Sequence, residues 1–431
     1  MIAKRSAHSA LMVPLAVGFL AVGGAAAVAQ DTVFLSTQLR PVEEATKMRQ
    51  SILKGGPAVV YVVDEPAPFT VRMKAETEAG KRTASVVGAL HGEIGPLVPM
   101  AAVEPIDDVA AKLASRGIAP SLMELGKLGT ANQQYIPWMQ ATFVMAAHKS
   151  ALPHLPAGAD VNALTYDQLI AWAKTVSEKT GKRALGFPAG PKGLMHRFFQ
   201  GYFYPSFTGG VVSTFKSADA EAGWEKMKEL WKYTSPNSTN IDFMQEALLS
   251  GDVLIGFDHI ARLKDALAAK PDEFVAFPAP AGPKGRGFMP VVAGLAITKG
   301  APNRAGAVAL IEHLLKPETQ IITASEVGFF PVAKMDLPAT MAPGVKLLAA
   351  AVGATSGAKD ALPSLLPVGL GDKNGEFNKV YLDTFQRIVL RGEPVKDVLA
   401  AQGQVMAELM AATKAPCWAP DKASAGACPV N

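Results

Sequence analysis

Apolar runs and helical spacings alternate along the first part of the chain. The run TVFLST (32–37) predicts a buried strand, and the apolar positions within 42–52 are spaced for one face of a helix. A second run, AVVYVV (58–63), predicts another buried strand. This alternation predicts an α/β domain with a mostly parallel sheet.

The middle of the chain contains helices with recognisable ends. Thr165 and Gln168 match a capping box, and Gly181 supplies a stop signal for that helix. Ser217 and Asn303 stand in N-cap positions before two further helical patterns. These signals predict three helices whose starting points are well defined.

Strand-like runs return in the second half of the chain. They cover 252–257, 273–280 and 290–298. The helical pattern that follows over 303–317 is expected to end at Pro317, because proline cannot continue a helix. The remainder, from about residue 374, has a helical pattern, and no internal repeat is evident.

Length and charge limit the classes of protein to which the chain could belong. The chain has 431 residues, which fits two or three domains, with 49% hydrophobic and 19% charged residues. Its formal net charge of +4 falls to +2 if the two basic residues near the amino terminus are removed with a signal peptide. This balance offers no basic stripe for nucleic acid and no polybasic patch for a membrane surface.

The first 29 residues have the pattern of a secretory signal peptide. Lys4 and Arg5 precede an apolar run at 11–22, and Ala27-Val28-Ala29 fits a small-x-small cleavage site. An uncleaved membrane anchor is the alternative, because no charged residue follows until Asp31. We expect cleavage and export to the periplasm.

Cys417 and Cys428 are the two cysteines of the chain. An exported protein meets an oxidising compartment, which favours a disulfide between them. A metal site is the alternative, but two thiols without a nearby histidine would leave it incomplete. We expect no metal and no cofactor.

Several enzyme signatures do not occur in the sequence. It has no G-x-S-x-G elbow, no H-E-x-x-H, no C-x-x-C and no phosphate-binding P-loop. Polar residues collect instead after strand-like runs, at 36–41, 90–93 and 258–260, where α/β sheets bind ligands. Aromatic residues at 135–140 and 198–210 complete the pattern of a pocket for a polyhydroxylated molecule.

Six segments, in order, resemble the extracellular solute-binding proteins of ABC importers, in the carbohydrate-binding group related to maltose-binding protein. They are YIPWMQATFVMAAHKSALPHL, LTYDQLIAWAKTVSEKTGKRALGF, FTGGVVSTFKSADAEAGWEKMKELW, ALLSGDVLIGFDHIARL, the region from FPAPAGPKGRG to GFFPVAK, and VLRGEPVKDVLAAQGQVM. The fifth segment is the most specific match.

The resemblance implies a two-lobed periplasmic-binding-protein fold. Each lobe would be a mostly parallel sheet flanked by helices, and crossing strands would join the lobes near residues 140, 285 and 335, so that they close over ligand by hinge motion. The expected organisation is a signal peptide at 1–29, one lobe from 30–139 and 285–334, a second from 140–284 and 335–410, and a disulfide tail at 411–431.

Ten residues are candidate ligand contacts, chosen as polar, aromatic or glycine positions near the inferred cleft. They are Gln38, Glu43, His91, Glu93, Trp138, Gln140, Asp258, His259, Gly294 and Phe330. The two aromatic rings would stack on a sugar, Gly294 would let ligand approach the backbone, and the others would hydrogen-bond, with pH-dependent affinity if a histidine titrates.

The acid–imidazole pair Asp258-His259 departs from sugar-binding relatives, in which Gly-Pro-Trp is common at this position. The expected partners are a small carbohydrate and a membrane permease, for a monomer that performs no covalent chemistry. An amine held by Glu43, Glu93 and Asp258 is an alternative, as is a phosphorylated solute near Arg40. A secreted hydrolase using Asp258 and His259, and a structural envelope protein, are less favoured alternatives.

Overall fold

The computed structural model describes residues 31–38, 43–333 and 335–431. The predicted signal peptide at 1–29 and Arg40 lie outside these described residues. No helix among the described residues is both long enough and apolar enough to cross a membrane.

Eleven strands of the described chain form three sheets. In chain order they are β1 (Thr32–Ser36), β2 (Val59–Val63), β3 (Val86–Leu90), β4 (Ile136–Ala141), β5 (Phe143–His148), β6 (Leu185–Gly186), β7 (Ile255–His259), β8 (Phe274–Phe277), β9 (Arg286–Phe288), β10 (Val291–Ile297) and β11 (Ala361–Pro363). Their orders are β2-β1-β3-β10-β4, β6-β7-β5-β8 and β11-β9.

Sixteen α-helices of the described chain surround these sheets. They are α1 (Glu43–Lys47), α2 (Pro66–Glu78), α3 (His91–Ile94), α4 (Asp107–Lys112), α5 (Pro120–Leu125), α6 (Tyr166–Thr180), α7 (Met195–Phe198), α8 (Tyr204–Thr208), α9 (Ala218–Trp231), α10 (Met244–Ser250), α11 (Ile260–Ala269), α12 (Arg304–Leu314), α13 (Pro317–Val327), α14 (Pro343–Ser356), α15 (Asn374–Phe385) and α16 (Val395–Thr413). π-Helical turns at Met48–Ile52, Phe199–Phe203 and Gln386–Leu390 extend α1, α7 and α15.

Each large sheet is the centre of one lobe, and both sheets are mixed. In the first lobe β1 runs parallel to β2 and β3, but β10 is antiparallel to both of its neighbours, β3 and β4. In the second lobe β5 is antiparallel to β7 and β8, and β6 and β7 form the parallel pair. The expectation of mostly parallel sheets therefore fails in both lobes: two of four strand pairs are parallel in the first sheet and one of three in the second, because β10 and β5 run against their neighbours.

The predicted helix ends are confirmed, with one change of role. Thr165 and Gln168 form the capping box of α6, and Gly181 ends that helix at a positive φ of 72°. Ser217 and Asn303 accept backbone N–H groups at the starts of α9 and α12. Pro317 begins α13 instead of ending α12, a position where its missing N–H costs nothing.

The chain passes from the first sheet to the second through one residue, Thr142. β4 ends at Ala141 and β5 begins at Phe143. Thr142 is buried; its hydroxyl donates to the carbonyl of Met289 (2.8 Å) and lies 2.8 Å from the hydroxyl of Tyr202. The Tyr202 hydroxyl also accepts from the backbone N–H of Phe143 (2.8 Å). One buried cluster therefore fixes the crossing strand to the second lobe.

The aromatic segment 198–210 lies in the interior of the second lobe. Phe199, Phe203 and Phe207 are buried, and their rings pack on one another and on Trp224, with centroid distances such as 5.0 Å between Phe199 and Trp224. The sequence pattern suggested that some of these rings line a pocket. They form core contacts because the π-helical turn brings them together inside the lobe.

The C-terminal tail is fastened to the second lobe by a carboxylate and a disulfide. Cys417 and Cys428 are bonded, as predicted. Between them the buried Asp421 accepts the backbone N–H groups of Val211 (2.8 Å), Val212 (2.9 Å) and Ser213 (2.9 Å). Three donors converging on one carboxylate make this contact a structural anchor.

We expect Asp421→Ala to destabilise the protein. The substitution leaves buried N–H groups without their acceptor, so the free energy of unfolding should fall by about 2 kcal/mol or more. Denaturant unfolding of the oxidised protein measures the change. Asp252→Ala, at an exposed aspartate, is the control and should change the value by less than about 0.5 kcal/mol. Equal unfolding midpoints for the two variants would contradict the anchoring role.

Candidate functional site

A cavity of about 230 Å³ lies between the two lobes. The first lobe contributes Thr37, Gln38, Glu65, Pro66, Leu90, Glu93 and Val291. The second lobe contributes Phe143, Leu194, Arg197, His259, Ala261 and Arg262, and Phe329 and Leu366 complete the wall. The volume is just below the 300–1,000 Å³ typical of drug-sized ligands, which suits a compact solute.

Glu93 places a carboxylate in the first-lobe wall. It lies in α3, directly after strand β3, and its Oε2 atom accepts the Thr37 hydroxyl (2.7 Å) and the Leu90 backbone N–H (2.9 Å). These bonds fix the side chain and leave Oε1 as the oxygen available to a solute. Burial raises the pKa of Glu93, while these hydrogen bonds and the charge of Arg197 oppose the increase.

His259 faces Glu93's wall from the second lobe. It ends strand β7 and is the N-cap of α11, where its Nδ1 accepts the backbone N–H of Ala261 (3.2 Å). Burial, together with the charge of Arg262, lowers the pKa of His259 to about 3. The ring is therefore neutral near pH 7, and because Nδ1 is the acceptor, the proton is on Nε2 as a donor.

Asp258 is turned away from the cavity. It is fully buried, and its two oxygens accept the backbone N–H groups of Met244 (2.9 Å), at the start of α10, and of His259 (2.7 Å). Burial raises its pKa to about 6, although the charge of Arg262 and the two N–H bonds act in the opposite direction. Successive side chains of a strand point to opposite faces, so along β7 Asp258 points into the lobe and His259 into the cavity wall.

Two arginines of the cavity were missed by sequence reasoning. Arg197 lies in α7, and its guanidinium donates to Gln200 Oε1 (3.2 Å). Arg262 lies in α11, where it donates to the carbonyl of Asp242 (2.8 Å) and lies 4.3 Å above the ring of Phe243. Arg197 directly precedes the aromatic segment, and Arg262 lies in the first turn of a helix with an ordinary amphipathic sequence, so neither pattern indicates a cavity residue.

Two phenylalanines supply apolar surface beside His259. The ring centroid of Phe143 is 5.0 Å from that of His259, and Phe329 is 5.4 Å away on another side. Phe330, the predicted stacking residue, does not line the cavity; it forms a backbone bridge with Gln140 (2.9 and 2.6 Å). The preceding residue, Phe329, lines the cavity instead of Phe330.

Several other candidates also lie outside the cavity. His91 is buried, with its Nδ1 2.8 Å from the Tyr135 hydroxyl, and burial lowers its pKa to about 4. Gly294 lies against the Tyr135 ring, which a Cβ atom would meet at 2.2 Å, so the packing of that ring requires glycine there. Trp138 is fully buried in the core.

The last two candidates have structural positions. Gln140 donates from Nε2 to the carbonyl of Pro331 (2.7 Å) beside the bridge to Phe330. Glu43 is exposed and lines a separate depression with Lys47 and Asp265. The cavity therefore brings together three of the ten candidates, Gln38, Glu93 and His259.

We expect His259 to stay neutral, with its proton on Nε2, from about pH 8 to about pH 5. Burial disfavours the imidazolium, so its NMR ring signals should not titrate in this range. Histidine-selective ¹⁵N spectra give both the tautomer and the pKa. The urea-unfolded protein is the control, in which imidazole titrates near pKa 6.5, about the ordinary value. A titration step near 6.5 for folded His259 would contradict the prediction.

Solved structures of binding proteins share this architecture. The GacH receptor of Streptomyces glaucescens, solved unliganded and with acarbose, matches 88% of this chain and 98% of its own with a TM-score of 0.69 and 17% identity. Maltose-bound MalE3 of T. maritima covers 88% of this chain and 99% of its own (0.67, 18%). UgpB of Mycobacterium tuberculosis with glycerophosphocholine covers 89% and 99% (0.69, 16%).

A search of curated protein sequences gave no significant match. The family model for bacterial extracellular solute-binding proteins matches residues 53–321, more than half of the chain. That span contains most strands of both lobes and most of the cavity wall. The chain belongs to the bacterial extracellular solute-binding protein family.

Proposed function

We propose that this protein captures a carbohydrate outside the cytoplasm and delivers it to the membrane permease of an ABC importer. The observation that carries the proposal is the cavity between the lobes, in which the acceptor Glu93 faces a wall containing the donor His259. Two lobes joined by crossing strands close around ligand by bending at the joints.

The chemistry of the cavity suits sugar hydroxyls. A hydroxyl both donates and accepts, so it pairs with Glu93 Oε1 as acceptor and with His259 Nε2 as donor. Gln38, which also lines the cavity, supplies an amide that can do either. Phe143 and Phe329 offer apolar surface for the C–H face of a sugar ring.

Similar proteins support the same class of solute. Two of the solved structures described above contain acarbose or maltose. Their low identity to this chain limits the comparison to fold, so the choice of carbohydrate depends on the donor and acceptor positions in the cavity.

We also propose that the protein performs no covalent chemistry. A hydrolase using Asp258 and His259 needs the carboxylate to orient the imidazole and the imidazole to activate a nucleophile. Here the Asp258 oxygens accept backbone N–H groups, and His259 Nδ1 is occupied by the cap of α11. Asp258 therefore stabilises the start of α10, and His259 stabilises the start of α11.

The proposal includes export of the protein to the periplasm and a monomeric state. An extracellular solute-binding family fits export through the predicted signal peptide, and the Cys417–Cys428 disulfide fits an oxidising compartment such as the periplasm. We propose a monomer in solution, because one chain supplies both walls of the cavity.

We expect Glu93→Gln to weaken sugar binding. Thr37 and Leu90 both donate to Oε2, so the glutamine oxygen should take that place and turn its NH₂ group into the cavity as a donor. The Kd for the sugar that most raises the Tm of the wild-type protein should rise at least about tenfold. Calorimetric titration measures this Kd.

The control is Glu124→Gln, at an exposed carboxylate paired with Lys127, which should keep the wild-type Kd. An unchanged Kd in Glu93→Gln would contradict the role of Glu93. If no mono- or oligosaccharide or polyol raised the wild-type Tm, the carbohydrate proposal would be wrong.

A further inference from the structure

The second-lobe wall of the cavity is rich in cationic and donor groups. Arg197, Arg262 and His259 all line it. Burial is the main cause that lowers the pKa of His259 and of the neighbouring His196, and the charges of Arg262 at His259 and of both arginines at His196 act in the same direction. The two arginines therefore lie close enough to the imidazoles of this wall to act on their charge.

Of the two arginines, Arg197 gives the clearer indication of what the cavity binds. Burial lowers its pKa to about 10, and Glu93 on the opposite wall is the charge that opposes this effect. Among the described residues no carboxylate lies within 4 Å of its guanidinium, and its hydrogen bond goes to the neutral amide of Gln200. A charge withdrawn from water is costly unless a partner compensates it.

Gln200 and its hydrogen-bond partners, which do not line the cavity, hold the guanidinium of Arg197 in position. Gln200 is buried; its Nε2 donates to Asn378 Oδ1 in α15 (2.9 Å), and its carbonyl accepts the hydroxyl of Ser364 (2.8 Å). Because Gln200 Oε1 then faces Arg197, the arginine is fixed without a counter-ion. A rigid guanidinium in a cavity wall, with no carboxylate in direct contact, is suited to an anionic group of a ligand.

Arg262 extends the positive surface with a fixed geometry. The carbonyls of Asp242 (2.8 Å) and Lys192 (3.4 Å) hold one side of its guanidinium, and the Phe243 ring supports its face. His259 adds a neutral N–H donor near it. The opposite wall presents the Glu93 carboxylate, so the two walls differ in charge.

We propose that the solute is a polyol carrying one anionic group, a carboxylate or a phosphate ester, which contacts Arg197 while its hydroxyls contact Glu93. This inference rests on the proposed function and specifies its substrate class. A neutral sugar would leave Arg197 with only the charge of Glu93 across the cavity, whereas an anionic group would place an opposite charge in direct contact with it. Asn378 and Gln200 act as positioning residues for the guanidinium.

Matched solute pairs test the proposal. Thermal shift and calorimetric titration would compare hexoses with their uronic acids, and polyols with their phosphate monoesters. The tightest-binding solute should be the anionic member of a pair, with a Kd at least about tenfold below that of its neutral partner, and added salt should weaken it. Comparing the uronic acids with the phosphate monoesters shows whether the preferred anionic group is a carboxylate or a phosphate.

Variants locate the anion contact. Arg197→Gln should remove the preference within the best pair by raising the Kd of the anionic member at least about tenfold more than that of the neutral member; Arg183→Gln, at an exposed arginine, is the matched control and should keep the preference. Asn378→Ala, which leaves the cavity wall intact, should reduce the same preference by a smaller factor. It is the second test if Arg197→Gln does not fold.

The outcomes separate the two proposals. Neutral members that bind as tightly as anionic ones would overturn the anionic solute while leaving carbohydrate capture intact. An anionic preference that survives in both Arg197→Gln and Asn378→Ala would overturn the role of Arg197. If no member of any pair raised the Tm, carbohydrate capture would fail together with this inference.

Discussion

The geometry of the molecule depends on the buried contact of Thr142 with Tyr202 and Met289. A single residue separates the last strand position of one sheet from the first position of the other, so the two sheets cannot be placed independently. The hydrogen bonds of Thr142 and Phe143 to Tyr202 fix that crossing strand on the second lobe. Phe143 is consequently both a neighbour of the crossing residue and part of the cavity wall.

The cavity combines apolar packing with a small number of fixed polar groups. Glu93, His259 and Arg197 are each held by hydrogen bonds within the protein: to a strand end, at a helix cap and to a buried amide. Such pre-positioned groups lose little conformational entropy when a solute binds. Removing charged groups from water costs free energy, and a complementary group of a ligand would offset part of that cost.

Local signals in the sequence predicted the helix starts well. Thr165, Ser217 and Asn303 cap helices because capping depends on residues three positions away at most. The two-lobed fold and the disulfide were also predicted. The direction of β5 was not, because it depends on the long-range crossing at Thr142 and not on the pattern of the strand itself.

The site was harder to predict than the fold, because side-chain direction decides it. Asp258 and His259 are adjacent, yet only His259 reaches the cavity, and Phe329 lines it in place of Phe330. Such one-residue differences follow from strand pleating and from the bridge to Gln140, which a pattern of residue types does not specify. Arg197 depends on contacts from α15, about 180 residues further along the chain.

The position of His259 as a helix cap has an evolutionary consequence. Asparagine, aspartate and serine also cap helices well, so this wall position can change its chemistry while α11 keeps its first turn. Selection for a new solute could act there at little cost to folding. The pair Asp258-His259 thus joins a buried structural role, at the start of α10, to a cap position whose side chain can be exchanged.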